Sequence, residues 1–231
     1  MLGRNAATFM NGTKLKAEEL VRSWSYGRHS IYRLGIVVGD SITGRTPSFN
    51  GFYVFARRYW QFKQAFTGRH ANSEKYKANG IRFNPDGMLR LPLWGRFSPV
   101  STLNIVPIDW TAQMLARLAE IPADGQVFHI VHPEPPKVRW LNDVSLEHMG
   151  ITDFRYGDPP GHDPRTLLWK FQRIFNRGTA PYIPYITHEA KFGFSNLPRV
   201  LGGNYAPPPI VDESFVAKLM DYAKSVNFGK D

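Results

Sequence analysis

The 231 residues include no cysteine, which excludes disulfides, a thiolate nucleophile, iron–sulfur clusters and cysteine zinc sites in one step. No apolar run approaches the roughly 20 residues of a membrane span, and the start, Met1-Leu-Gly-Arg-Asn through Lys14 and Glu18, has no signal-peptide core. A cytoplasmic protein with no membrane partner is the expectation. Phosphate-cradling signatures are missing as well: there is no G-x-G-x-x-G after a strand and no G-x-x-x-x-G-K-[ST], and Gly193 and Gly202-Gly203 fall in late loops. No G-x-S-x-G elbow marks a serine hydrolase, and His188-Glu189 lacks the second histidine of a zincin helix. His129 and His132 are three apart in an extended stretch, which points them to opposite faces and argues against a shared metal. No metal site is expected.

Acidic residues are few, 19 against 29 lysines and arginines, for a formal charge of +10. Such an excess suits anionic partners, nucleic acid or phosphate-bearing cofactors among them. Arg57-Arg58, Lys63 and Arg69 lie near Tyr59, Trp60 and Phe62, mixing cations with stacking rings. The rings nevertheless keep the spacing of a helix core face and no recognition motif accompanies them, so nucleic-acid binding ranks below a solvated helix face.

The apolar share of 42% is ample for a buried core. Ala17, Leu20, Val21 and Trp24 fall at helical spacing over 14–24, and residues 30–38 read as a buried parallel-type strand ending at Gly39-Asp40-Ser41. Phe52, Phe55, Ala56 and Tyr59 predict a helix over 50–66. Residues 67–99 mix Gly, Asn and Pro around the apolar piece 88–94 and suit a hairpin or lid. A short strand over 102–108 is followed by Asp109 as the expected N-cap of a helix bearing Thr111, Met114, Leu115 and Leu118. Another strand covers 126–132, and Pro133-Glu-Pro-Pro136 stops regular structure. Helices are expected over 163–176 and at the end, around Val216, Leu219, Met220 and Ala223, with irregular chain between them.

Three pieces taken in order carry a family signal: Thr13-Lys14-Leu-Lys-Ala17-Glu18-Glu-Leu20-Val21; Tyr32-Arg33-Leu34-Gly35-Ile-Val-Val38-Gly39-Asp40-Ser41 with Thr43-Gly44; and Ile105-Val-Pro-Ile-Asp109-Trp110-Thr-Ala112. Together they resemble the extended short-chain dehydrogenase/reductase family (the NAD-dependent epimerase/dehydratase superfamily). More narrowly they look like its thioester-reductase and male-sterility branch, which is similar to fatty acyl-CoA reductases. Phe128-His129-Ile-Val-His132-Pro133-Glu134-Pro135 reinforces the likeness, and Phe194-Ser195-Asn196-Leu197 extends it weakly into the tail.

The resemblance implies an α/β fold: the C-terminal part of an incomplete Rossmann-type unit, with residues 9–44 and 102–132 associated with the sheet and 45–101 and 133–231 forming a mostly helical substrate-covering region. The family's nucleotide-binding half, with its glycine-rich turn, would precede residue 1. It also implies an NAD(P)-dependent oxidoreductase, NADP somewhat favoured, acting on a carbonyl or acyl-thioester substrate and inactive as this chain alone. A tyrosine and, four residues on, a lysine serve proton transfer in this family, the lysine lowering the phenol pKa and bonding the nicotinamide ribose. Lys14 matches that lysine, as catalytic and cofactor-binding residue, with Thr13 at the small hydroxyl position before it. Met10 stands where the tyrosine belongs, and a thioether cannot exchange the proton. Leu34 replaces a proline close to the nicotinamide. Gly39, Asp40 and Ser41 match a loop bordering the substrate cleft. Two alternatives stay open, a binding or scaffold paralogue without chemistry and, less favoured, a basic nucleic-acid-binding protein. A chain without its preceding strands would also present an unpaired sheet edge, a place for self-association.

Overall fold

The structure, a computed structural model, describes residues 2–24, 26–67, 73–122, 124–159, 161, 165–187 and 191–229, and only the backbone of residues 2–11. Arg69, Asp163, His188 and Glu189 of the sequence reading lie outside the described residues. Helix α1 (Leu2–Arg22) leads into β1 (Ser30–Leu34) and β2 (Ile36–Val38), then α2 (Tyr53–Phe66) and the single turn α3 (Glu74–Lys77). Short strands β3 (Arg82–Phe83), β4 (Leu89–Arg90) and β5 (Trp94–Gly95) precede β6 (Ile105–Pro107), α4 (Ile108–Ala119) and β7 (Gln126–Ile130). The remainder comprises α5 (Val138–His148), β8 (Ile151–Thr152), β9 (Arg155–Tyr156), α6 (Leu167–Thr179), α7 (Ile183–Thr187), α8 (Asn196–Leu201) and α9 (Glu213–Ser225).

The strand expected over 30–38 changes neighbour midway. β1 pairs in parallel with β7, Ser30 opposite Gln126, whereas β2 pairs in parallel with β6, Ile36 opposite Ile105. Asn104 sits where the two partners diverge. Its amide donates to the His132 carbonyl and accepts from the His132 N–H, both at 2.8 Å, so the fork leaves neither backbone group of His132 unpaired. Parallel pairing needs cover on both faces, and Val38, Ile105, Val106 and Ile130 are accordingly buried. On its other side β1 has no strand neighbour among the described residues, and its side chains Tyr32 and Leu34 are partly exposed.

Part of the stretch 67–99 is a hairpin, β3 antiparallel to β4, with β4 then joined in parallel by β8. The main core lies between α2, α5, α6 and α9, where Tyr59, Phe66, Phe175, Val216 and Leu219 pack together. Tyr59 stacks on Phe175 at 5.8 Å, and its hydroxyl donates to Asn142 Oδ1 at 2.6 Å. Because Tyr59 and Phe62 are buried, they are withheld from stacking on nucleic acid.

The structure corrects one reading and adds one helix. Asp109 is not the N-cap of α4, a place taken by Pro107; it lies in the first turn and its carboxylate points to another segment. Helix α5 lies beyond the proline run, where the sequence pattern gives no helix. Its buried face is Val138, Leu141, Asn142, Ser145 and Leu146, and the two polar members hide the apolar periodicity.

Candidate functional site

Two of the five expected site residues come together. Lys14 and Leu34 line one cavity of about 900 Å³, whose walls are otherwise largely apolar, Phe52, Phe55, Phe97, Leu141 and Tyr182 among them. The two residues arrive on different elements, which an ion pair fastens together. Arg33 Nη2 of β1 donates to Glu18 Oε1 of α1 at 2.6 Å, and Arg22 Nη2 reaches the same oxygen at 2.9 Å. The Arg33 and Arg22 hydrogen bonds hold the Glu18 carboxyl below its ordinary pKa. Glu18 lies one helical turn after Lys14, yet it is committed to two arginines. Among the described residues no carboxylate forms a salt bridge with the Lys14 ammonium.

Polar groups in the same cavity are mostly engaged. Asn142 accepts from Tyr59 and donates to the Tyr156 hydroxyl, Ser145 donates to the Leu141 carbonyl, and Asn104 holds His132. Few free polar atoms therefore remain to recognise a polar ligand body, and Lys14 is left as the cation at an apolar space. Such a site accepts a mostly hydrocarbon ligand with one polar end.

Gly39, Asp40 and Ser41 lie elsewhere and line neither this cavity nor the second one described below. Their polar groups are used within the protein. The Gly39 N–H donates to the buried Tyr53 hydroxyl at 2.9 Å, and a Cβ at Gly39 would stand 2.2 Å from the Gly44 carbonyl oxygen, so only glycine fits this close approach. Burial pushes the Tyr53 phenol up to about 12. Asp40 Oδ1 accepts from the Thr43 hydroxyl and from the Ile42 and Thr43 amides, and these bonds, the Thr43 hydroxyl first, hold its carboxyl below the ordinary value. Ser41 donates twice to Asp109, from its amide at 2.9 Å and its hydroxyl at 2.6 Å. The Gly39–Ser41 segment is thus a turn with an exposed tip, tied to α4 by the carboxylate expected to cap that helix.

Met10 belongs to the same continuous helix as Lys14, one turn before it, so the backbone gives i and i+4 positions on one face. The two histidines have ordinary roles. His129 Nδ1 bonds the Gly193 carbonyl at 2.6 Å, and His132 accepts from the Glu134 N–H at Nδ1 while Nε2–H faces the Pro209 carbonyl at 3.3 Å. His132 is therefore the neutral Nε2–H tautomer, and burial lowers its pKa.

The wall residues Phe55, Phe97, Leu141 and Tyr182 are absent from the site expected on sequence. Phe55 is visible there as part of an aromatic helix face, but nothing in the sequence says that this face borders a cavity.

A nicotinamide fits these residues at one end only. Lys14 has a free ammonium for a ribose hydroxyl and Leu34 an apolar surface for a ring, whereas the sequence has no glycine-rich turn to cradle a pyrophosphate.

Residues 6–115 match the family model of the male sterility protein, an NAD-binding family. No curated protein matches the sequence. The terminal R domain from the myxalamid PKS-NRPS biosynthetic pathway superposes with a TM-score of 0.59 at 16% identity, over 92% of this chain and 48% of that one. RMD from Pseudomonas aeruginosa, solved with NADPH, gives 0.55 at 13% identity, over 93% and 55%. The thiolation-reductase di-domain of an archaeal non-ribosomal peptide synthetase gives 0.50 at 14%, over 87% and 37%. At these identities the superpositions establish a shared fold, and the chain spans about half the length of the first two structures. No helix among the described residues is long and apolar enough to cross a membrane. The matched residues 6–115 hold Lys14, Leu34, the Gly39–Ser41 loop and Asp109, and over them the chain is similar to the male sterility protein family.

Proposed function

We propose that this chain is the substrate-binding part of an NAD(P)-dependent oxidoreductase that acts on a carbonyl or acyl-thioester group carried by an apolar body. The observation that carries this reading is the meeting of Lys14 and Leu34 on one apolar cavity. The apolar body fills the cavity by burial, and the carbonyl lies toward Lys14, whose ammonium polarises its oxygen or holds a ribose hydroxyl. The nicotinamide, when bound, supplies the hydride. Gly39, Asp40 and Ser41 act at a distance in this reading, as a turn that fixes the end of β2 and its link to α4.

Met10 favours a second reading, a binding protein that keeps the cavity without proton transfer, because no phenol occupies the position four before Lys14. Both readings predict saturable binding of an acyl thioester, weakened by Lys14→Ala and blocked by Leu34→Trp. They part on NADPH. Under the first, the chain alone binds NADPH weakly and turns over only when supplied with a nucleotide-binding half; under the second, no such supplement gives Lys14-dependent NADPH oxidation. Acyl thioester binding indifferent to both substitutions would remove the two readings together.

A further inference from the structure

A second cavity, of about 1070 Å³, lies beside the first and is lined by Trp94, Trp169, Asn176 and Ala180 among others. Phe55, Phe97 and Pro184 line both cavities, so the partition between them is one side chain thick. Phe97 is buried, and its ring meets Phe55 edge to face at 5.4 Å and Phe154 at 5.8 Å. Its seat is Gly95 in β5. A Cβ there would stand 2.4 Å from the Phe97 ring and 2.5 Å from the Phe154 ring, closer than carbon atoms approach. The partition is therefore a specific construction: two rings crossed edge to face, one of them resting on a residue that has to be glycine.

Beyond the partition the space continues, and Phe55 and Phe97 stand between it and the cavity that Lys14 borders. Resting on the reading of the Lys14 cavity as an acyl site, we infer that Phe97, braced by Phe55 and seated on Gly95, is the length stop for the apolar chain. It confines the chain to the first cavity and keeps it out of the second. The stop acts by exclusion, because a chain extended through the wall must break the edge-to-face packing of the two rings, which offsets the burial of its added methylenes.

The test uses the purified full chain and straight-chain fatty acids from about eight to eighteen carbons, whose carboxylate takes the place of the carbonyl end beside Lys14. Dissociation constants come from displacement of a fluorescent fatty acid. In the wild type, affinity should rise about fourfold per added methylene and then level off once the chain reaches the partition. Phe97→Ala should move the levelling point to longer chains. So should Phe97→Leu and Gly95→Ala, which shrink or displace the ring and carry the test if Phe97→Ala unfolds, as judged by circular dichroism. Adding Ala180→Phe, which fills the second cavity, should return the Phe97→Leu protein to the wild-type levelling point. An unchanged levelling point in folded Phe97→Leu and Gly95→Ala proteins overturns the length stop while leaving the acyl site standing. Absence of fatty-acid binding to the wild type overturns both.

Discussion

Helices α1 and α2 carry apolar residues at the same helical spacing, yet Tyr59 of α2 is 0% exposed whereas Leu20 and Trp24, on and just after α1, are each 61% exposed. The contrast continues into the strands that follow. β1, next to α1, exposes Tyr32 and Leu34, while the β2–β6 pair is covered by α4 and has Val38 and Ile105 in the main core. Amphipathic spacing states that a helix has an apolar face; whether another element covers that face depends on the rest of the fold. The candidate site lies on the boundary between the two regions, with Lys14 and Leu34 from the open side and Phe55, Phe97 and Leu141 from the packed side.

The sharpest way to test this contrast is to truncate a ring in the packed region. Tyr59→Ala removes the stacking on Phe175 and leaves Asn142 Oδ1 without its donor, so the unfolding free energy should fall by about 3–5 kcal/mol in urea titrations. Asp109→Ala comes next. It strands the Ser41 amide and hydroxyl, and a loss of about 2 kcal/mol is expected, with faster hydrogen exchange confined to residues 39–44.

A smaller effect should follow pH. His132 is neutral in the fold and its pKa is lowered by burial, so the unfolded chain takes up the proton first. Its contribution is complete above the ordinary value of 6.5 and is lost as pH falls below it. The urea midpoint should drop between about pH 7.5 and about pH 5.5, and that drop should shrink in His132→Gln. Smallest of all is Leu20→Ala on the open side, where a change within about 0.5 kcal/mol is expected. A loss comparable to that of Tyr59→Ala would show that α1 is covered in solution and erase the contrast.

Much of the architecture is legible in local pattern. The strands around 30–38, 105–107 and 126–130 and the helices α2, α4 and α9 follow from β-branched runs and helical spacing. Less accessible are features decided by tertiary partners. Asp109 has the chemistry of an N-cap, but the Ser41 amide and hydroxyl, donors from across the fold, hold its carboxylate instead. Helix α5 buries Asn142 and Ser145, so its inner face does not read as apolar. For the site, family resemblance singles out Lys14 and Leu34, and the structure brings both to one cavity. The cavity itself is beyond the reach of local pattern, because Phe55, Phe97, Leu141 and Tyr182 come from four separated segments.

The central claim, that a carbonyl ligand in the apolar cavity presents its reacting end to Lys14, is tested most directly by trapping. A straight-chain aldehyde held there forms an imine with the nearest amine, and reduction with cyanoborohydride makes the bond permanent for peptide mass spectrometry. The account predicts that Lys14 is alkylated ahead of the other lysines at low aldehyde concentration and that a saturating fatty acid suppresses the labelling. Alkylation spread over the surface lysines, with Lys14 neither favoured nor protected, would contradict it.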